Sequence, residues 1–245
     1  NFKWNMGWMN DMIAYTSLDP IFRSYNHDKL TFSLFYAFSE NFILPISHDE
    51  VVHGKCSLIN KMPGDYAMKF SGMRTFLAYM MTHPGKKLLF MGCEFAQFIE
   101  WNYKQQLDWM LLDYDSHRQM QQFVRDLNHF YLAHACLWQV EDSWDGFNWL
   151  AHDDHARNII VFRRIDDNGD DLVVVCNFAP VTREDYRIGV PDATSYDEVF
   201  NTDDVKYGGS GVVNRGAIRV KNQPDHDMKQ SITITVPPLA AVFLK

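Results

Sequence analysis

The residues with the clearest chemical potential are three consecutive polar side chains, His48, Asp49 and Glu50. They follow residues 41–47, a short apolar run that predicts a strand covered on both faces. In a β/α barrel, polar residues at the carboxyl end of a strand lie on the catalytic face. An ionised Asp beside a His donor can hydrogen-bond the hydroxyls of a polar substrate there. A histidine satisfied in the core and a helix-capping Asp remain the alternative for the same two residues.

Other chemistries are excluded by spacing. Ser47, His48 and Asp49 are adjacent, so on a strand they point to alternate faces and cannot form a nucleophilic triad with one another. His48 and His53 are five residues apart, which misses the i, i+4 spacing of a helical zinc site. The four cysteines form no C-x-x-C pair, and residues 54–56 lack the pattern of a phosphate loop. We therefore expect neither a metal nor a cofactor.

The first 138 residues alternate short apolar runs with helical periodicity, as parallel β/α units do. Strands are predicted at residues 41–47 and 87–93, and a helix that begins near Asp65 connects them. The residues expected on the buried face of this helix are Tyr66, Phe70, Met73, Leu77 and Met80. The order strand, helix, strand indicates an α/β unit with a parallel sheet.

Two further helices are predicted in the same part of the chain. One begins at about Asp115 or Ser116, either of which can act as its N-cap. The residues expected on its buried face are Met120, Val124, Leu127 and Tyr131. Residues 30–39 are apolar almost all round, which predicts a buried helix there.

The character of the sequence changes after Trp138, where short β-rich runs separated by turn residues begin. Residues 1–138 are predicted to form an α/β domain, and residues 139–245 an antiparallel β-sandwich domain. Asn168-Gly169 is a strong hairpin signal. The predicted strands are residues 158–164 and 171–177, which flank that hairpin, followed by 196–200, 217–221, 231–236 and 240–244.

Composition narrows the partners and the location. The chain has 245 residues and a formal net charge of −8, with no basic stripe that would bind nucleic acid or an anionic membrane. No apolar run approaches the length of a membrane span, and the start lacks the layout of a signal peptide. Widely separated cysteines fit free thiols in a reducing compartment, so a cytoplasmic location is expected.

Several runs, in one order from end to end of the chain, resemble glycogen (1,4-α-glucan) branching enzymes of the α-amylase superfamily. The runs are Trp4-Asn5-Met6-Gly7-Trp8-Met9-Asn10-Asp11, Lys29-Leu30-Thr31-Phe32-Ser33-Leu34, Leu44-Pro45-Ile46-Ser47-His48-Asp49-Glu50-Val51-Val52-His53-Gly54-Lys55, Lys86-Lys87-Leu88-Leu89-Phe90-Met91-Gly92, Glu94-Phe95, Glu100-Trp101, Leu107-Asp108-Trp109 and Asn201-Thr202-Asp203. The set is far more specific than any one motif within it.

The resemblance implies roles for six residues. Asp49 matches the third catalytic carboxylate of the superfamily, which stabilises the transition state, and His48 matches the histidine that hydrogen-bonds the same sugar. Glu50 is expected to line the adjacent surface, with a capping role as the alternative. Trp8 and Trp101 are candidates for stacking on α-glucan, with core packing as the alternative for each. Glu94 is expected to support a loop or the barrel floor.

The resemblance also implies an incomplete barrel. A full barrel takes roughly 250 residues, so about the last three β/α units are expected here and about five are missing. The nucleophilic Asp and the acid/base Glu of the superfamily lie on earlier strands, and their motifs are not found. Retaining glycosidic chemistry needs that pair about 5 Å apart. We therefore expect the chain alone to be inactive and to associate with the missing N-terminal half of the barrel or with itself.

Three functions remain open at this point. The first is part of a branching enzyme that cleaves α-1,4 links and forms α-1,6 branches by a retaining mechanism. The second is a related α-glucan hydrolase, which uses the same carboxylates. The third is a non-catalytic fragment that binds or scaffolds α-glucan.

Overall fold

A computed structural model describes all 245 residues of the chain. Three parallel strands, β1 (Lys3–Trp4), β2 (Phe42–Ile46) and β3 (Lys86–Leu89), form a sheet in that order. Both outer strands have one unpaired edge. The predicted strands at residues 41–47 and 87–93 are confirmed as β2 and β3, although β3 is the shorter because the chain turns at Gly92, which has φ 90°.

The helices of this part are α1 (Met6–Ser17), α2 (Pro20–Arg23), α3 (Asp28–Thr31), α4 (Tyr66–Thr82) and α5 (Asp115–Ala133). The predicted start of α4 is confirmed, because the Asp65 carboxylate accepts a hydrogen bond from Met68 N at 2.9 Å. The buried face of α4 is as predicted except at Tyr66, which lies in the exposed first turn. Helix α5 begins at Asp115, but Tyr114 occupies its cap position and makes no side-chain cap.

The predicted helix at residues 30–39 is wrong. Helix α3 ends at Thr31, and a 3₁₀ turn, Phe32–Phe35, replaces the rest. The ring of Phe35 is 84% exposed, and it packs against Phe32 with ring centroids 5.8 Å apart. The apolar residues of this segment therefore divide into two groups: Leu30, Leu34 and Ala37 are buried in the core, whereas Phe32 and Phe35 lie at the surface. Helix α1 was not predicted, because Gly7 and Asn10 interrupt its run of good helix formers.

The chain after Trp138 forms antiparallel strands, as predicted. They are β4 (Phe147–Asp154), β5 (Ile159–Ile165), β6 (Asp171–Asn177), β7 (Arg183–Val190), β8 (Ser195–Tyr196), β9 (Glu198–Asn201), β10 (Ile218–Arg219), β11 (Gln230–Val236) and β12 (Ala240–Leu244). The order β4-β5-β6-β12-β9 makes a five-stranded sheet, and β7 pairs with β11. The predicted hairpin is confirmed, because Asp166 Oδ1 accepts from Asn168 N and Asp170 N, both at 2.9 Å. Strands β4 and β7 were not predicted.

The five-stranded sheet is covered on both faces. Ile159 and Val161 of β5 face a core shared with β7 and β11. Ile160 and Phe162, the alternate residues of the same strand, belong to the large core that includes α4 and α5. One continuous apolar core therefore joins the α/β part to the β part.

Three buried arginines, Arg23, Arg74 and Arg164, cross the boundary between the two parts. Each donates to backbone carbonyls on the other side, which fixes the relative position of the two backbones more narrowly than apolar contact does. Burial lowers the pKa of Arg74 and of Arg164 to about 10. The acceptors across the boundary are Phe178 O for Arg23 (2.7 Å), Thr202 O and Tyr207 O for Arg74 (both 2.9 Å), and Thr82 O for Arg164 (2.7 Å).

Another buried polar contact joins α4 to the 3₁₀ turn after α3. His83 follows α4, and its Nδ1–H donates to the Pro84 carbonyl at 2.8 Å, so Nε2 is left to accept from the Ser33 hydroxyl at 2.9 Å. The ring is fully buried, and its neutral form makes both bonds. Burial lowers the pKa of His83 to about 3.

We predict that Arg164→Met lowers the free energy of unfolding, measured by urea denaturation, by about 3 kcal/mol or more, because it leaves buried carbonyls without donors. Its acceptors are Thr82 O, Gly146 O and Val140 O. Arg163→Met is the matched control on the same strand, since Arg163 is partly exposed and makes a single ion pair, with Asp171 at 2.6 Å, which should contribute about 1 kcal/mol. Equal losses in the two variants would contradict the role given to Arg164.

We predict that acid destabilises the fold through His83. Below its ordinary pKa of 6.5 an unfolded histidine binds a proton, whereas the folded His83 stays neutral down to about pH 3. The free energy of unfolding should therefore fall by about 1.4 kcal/mol per pH unit across that window through this group. His83→Gln should flatten the slope measured by urea denaturation at pH 4 to 6.5, while His129→Gln, at an exposed position of α5, should not. The same slope in all three proteins would show that His83 is not responsible.

Candidate functional site

The site begins where strand β2 ends. Ser47 caps a 3₁₀ turn, His48–Glu50, and its Oγ accepts from Asp49 N at 3.2 Å. Glu50 folds back, so that its Oε2 accepts from Ser47 Oγ at 2.7 Å and from Ser47 N at 3.3 Å. Both Ser47 and Glu50 are buried. This reciprocal capping fixes the direction of the turn.

The expected surface role of Glu50 is therefore not supported by the structure, and the capping alternative describes it. A carboxylate that is buried and already accepts two hydrogen bonds from Ser47 is not available to a ligand. The sequence placed Glu50 beside His48 and Asp49, but it could not show which of the three side chains turns inward.

His48 and Asp49 point outward from the same turn. Their side chains are 47% and 56% exposed, and His48 Nε2 lies 3.3 Å from Asp49 Oδ1. At this separation the imidazole can donate a hydrogen bond to the carboxylate, or both groups can form hydrogen bonds with the same ligand. The pair lies at the carboxyl end of β2, as the sequence predicted.

Trp101 reaches the same place from a segment far along the chain. Its backbone N–H donates to Val51 O at 2.8 Å, directly after the turn that holds Asp49. Its ring centroid lies 5.8 Å from that of His48 and 5.1 Å from that of Phe90, both edge to face. The ring is half-buried, so part of it is open beside His48.

Trp8 is not part of this site. Its ring is 1% exposed and stacks on Phe76, with centroids 6.1 Å apart and an interplanar angle of 22°. A sugar cannot reach a ring that is closed on all sides, so stacking on glucan is wrong for Trp8 in this structure. Core packing, the alternative, is its role. Glu94 supports a loop as expected, because its Oε2 accepts from Gly92 N at 2.6 Å.

Glu100 is a residue whose position the sequence did not reveal. Its carboxylate accepts from Gly54 N at 3.0 Å and from Cys56 N at 2.8 Å, and it lies 3.3 Å from His53 Nδ1. These donors lie in the loop after the His48–Glu50 turn, where Gly54 and Cys56 both have positive φ. The hydrogen bonds from Cys56 N and Gly54 N lower the pKa of Glu100. Glu100 therefore ties the loop after β2 to the loop after β3.

No group of three or more His, Cys, Asp or Glu side chains is arranged to hold a metal ion. No helix combines the length and the apolar character that crossing a membrane requires.

Comparison with known proteins gives one consistent result along the whole chain. Residues 149–245 match the family described as "Alpha amylase, C-terminal all-beta domain". The chain is 56% identical over 246 residues to the 1,4-alpha-glucan branching enzyme GlgB of Halothermothrix orenii and 53% identical over 244 residues to that of Aquifex aeolicus. These alignments cover 100% and 99% of this chain, but only 39% of each relative. The resemblance to branching enzymes is thus confirmed.

Solved structures with a similar fold are more distant in sequence. The pullulanase type I of Bacillus subtilis str. 168, complexed with maltose, superposes with a TM-score of 0.67 at 16% identity, over 98% of this chain and 35% of that one. The alpha-amylase from H. orenii superposes with a TM-score of 0.59 at 14% identity, over 99% of this chain and 48% of that one. At these identities the similarity extends to the fold alone.

We predict that Glu100→Ala frees the loop at residues 53–56. Amide hydrogen exchange at Gly54 and Cys56, read as protection factors by NMR, should accelerate, because both N–H groups lose their acceptor. In the unsubstituted chain the protection should persist below the ordinary pKa of a glutamate and be lost as the pH falls through the lowered pKa of Glu100. Glu184→Ala, at an exposed position of β7, is the control. Unchanged protection in Glu100→Ala would show that Glu100 does not hold the two loops together.

Proposed function

We propose that this chain is the C-terminal part of a 1,4-α-glucan branching enzyme, which cleaves an α-1,4 link and joins the released chain through an α-1,6 link. The observation that carries the proposal is the exposed His48 and Asp49 pair at the carboxyl end of β2. The identity of 51 to 56% with branching enzymes along the chain supports it. Because the chain spans about two fifths of those relatives, the activity belongs to a longer protein.

In this proposal Asp49 stabilises the transition state and His48 hydrogen-bonds the same sugar. A retaining mechanism passes through states in which positive charge develops on the sugar ring, and hydrogen bonds to its hydroxyls tighten there. The ionised Asp49 can accept such bonds, and the His48 ring, 3.3 Å away, can direct a donor to the same sugar. In this proposal the nucleophile and the acid/base are supplied by the part of the longer protein that this chain does not span, and Glu50, the carboxylate next to Asp49, is used as a cap.

The fold offers a place for the rest of a barrel. The free edge of β1 carries unpaired backbone groups, and Phe2 and Trp4 beside it are exposed. Unpaired edges and exposed aromatic rings favour association with another strand. We propose that the preceding strands of a (β/α)₈ barrel cover this edge and that the isolated chain self-associates through it. Four free cysteines are consistent with the cytoplasmic location that is part of the proposal.

A second candidate function is binding of α-glucan by this chain without catalysis. The observation that favours it is the open ring of Trp101 beside an exposed pair that contains only one carboxylate, Asp49. Retention of the isolated chain on immobilised glycogen, with no change in the iodine absorbance of amylose, is the result that this function requires. A hydrolase would instead release reducing sugar.

We predict that Asp49→Asn abolishes most of the branching activity. The test joins this chain to the preceding part of the H. orenii branching enzyme and measures the fall of iodine absorbance of amylose without release of reducing sugar. Loss of a group that stabilises transition-state charge should lower kcat by about 10²–10³-fold. Asp167→Asn, in the exposed hairpin turn, should leave kcat unchanged.

The isolated chain of 245 residues should show no branching in the same assay. Branching at the verified mass of this chain would mean that the nucleophile and acid/base lie within it. Either that result or full activity of the Asp49→Asn variant would overturn the proposal.

A further inference from the structure

The carboxylate of Asp49 is held by few contacts of its own. Its side chain is 56% exposed, and the polar atom next to it is His48 Nε2, 3.3 Å from Asp49 Oδ1. No backbone N–H donates to either of its oxygens, in contrast to the carboxylate of Glu100. Because an Asp side chain is short, the backbone of the His48–Glu50 turn decides where this carboxylate lies.

Two hydrogen bonds in series link Glu50 to the backbone of Asp49. The Ser47 hydroxyl donates to Glu50 Oε2 at 2.7 Å, and the same hydroxyl oxygen accepts from Asp49 N at 3.2 Å. A hydroxyl carries a single hydrogen, and its lone pairs are its acceptors. Since the hydrogen is directed to Glu50, a lone pair faces the N–H of Asp49. Glu50 therefore orients the acceptor that holds the Asp49 backbone.

Glu50 also holds the start of the turn directly. Its Oε2 accepts from Ser47 N at 3.3 Å. Glu50 is 7% exposed and Ser47 is 3% exposed. Hydrogen bonds to a carboxylate are stronger than those between neutral groups, and burial strengthens them further. The buried Ser47 and Glu50 pair thus anchors the residue that precedes His48.

The end of the turn is fixed from a distant part of the chain. Val51 N donates to His48 O at 3.0 Å, and Val51 O accepts from Trp101 N at 2.8 Å. Val51 is 4% exposed, so this end is embedded in the core. With the end held in this way, loosening of the start displaces the two exposed residues between the anchors, His48 and Asp49.

A group that stabilises a transition state must be in place before the reaction, and a displacement of about 1 Å can lower the rate about 10²-fold. We propose that Glu50 is a positioning residue for the reaction, which holds Asp49 in place through the Ser47 hydroxyl and does not touch the sugar. This role rests on the proposed function, in which Asp49 stabilises the transition state. It gives the two adjacent carboxylates different tasks in the same step.

The test compares Glu50→Ala with Glu50→Gln in the joined protein described above. Glu50→Ala should lower kcat about 10²-fold with little change in KM, because Asp49 acts in the transition state. An amide oxygen can still accept from Ser47, so Glu50→Gln should recover most of the lost kcat. Asp154→Asn is the control and should leave kcat unchanged. Asp154 is a partly buried carboxylate of β4 that accepts from Tyr186 and Arg157.

A double-mutant cycle separates positioning from a general loss of stability. If Glu50 acts through Ser47, then Ser47→Ala should lower kcat by a similar factor, and combining it with Glu50→Ala should lower kcat no further. Circular dichroism of each joined variant shows whether it is folded at the assay temperature. In the 245-residue chain, amide exchange of Asp49 N–H should accelerate in Glu50→Ala but not in Glu50→Gln.

The positioning role is overturned if folded Glu50→Ala keeps the kcat of the unsubstituted joined protein, if it changes KM alone, or if the two single effects on kcat multiply in the double variant. Should Glu50→Ala not fold, Ser47→Ala decides: a lowered kcat at normal KM supports the role, and a normal kcat refutes it. Branching that is lost in Asp49→Asn but kept in Glu50→Ala refutes the positioning role and leaves the proposed function intact. Absence of branching in the unsubstituted joined protein refutes the proposed function instead.

Discussion

The packing of α4 between two sheets is the constraint on which the rest of the structure depends. One side of α4 contacts the core of the parallel strands, and another contacts β6 and β12 of the five-stranded sheet. Arg74 in the middle of the helix donates to Thr202 O and Tyr207 O, and Arg164 donates to Thr82 O at its end. An arginine that is buried with no carboxylate within ion-pair distance needs all of its carbonyl acceptors, so it tolerates little displacement. The β part thus acts as a support that fixes the position and orientation of α4 relative to the parallel strands.

That support extends to the site because α4 connects β2 to β3. The loop before α4 carries Gly54 and Cys56, and the loop after β3 carries Glu100 and Trp101. If α4 moved relative to the strands, the carboxylate of Glu100 would no longer meet the two N–H groups that it accepts from. The motif Asn201-Thr202-Asp203, although remote from His48, therefore matters for the same reason. Thr202 O accepts from Arg74, and the Asp203 carboxylate holds the following loop through Ser210.

Local patterns allowed the sequence to predict the elements that carry their own signals. Helix α4 has a capping Asp65 and a regular apolar face, and the hairpin at Asp166 has an Asn-Gly turn. Helix α1 has a capping Asn5 and a buried apolar face, but Gly7 and Asn10 lower its helix propensity, and it was not predicted. The position of His48 and Asp49 after an apolar run was enough to predict that they lie at the carboxyl end of a strand. The contacts of Glu100 with Gly54 and Cys56, which lie 46 and 44 positions earlier in the chain, could not be predicted from the sequence, because they depend on where two loops meet in space.

The adjacent carboxylates Asp49 and Glu50 show how one neighbouring residue decides between structural and chemical roles. The hydroxyl and the backbone N–H of Ser47 both donate hydrogen bonds to the Glu50 carboxylate, and these bonds hold that carboxylate inside the protein. In a 3₁₀ turn the preceding side chain is directed about a third of a turn away, so burial of Glu50 directs Asp49 outward. Its carboxylate is then solvated and close to His48. The cap therefore does more than end a strand, because it holds one acid in the core so that the other faces solvent beside His48.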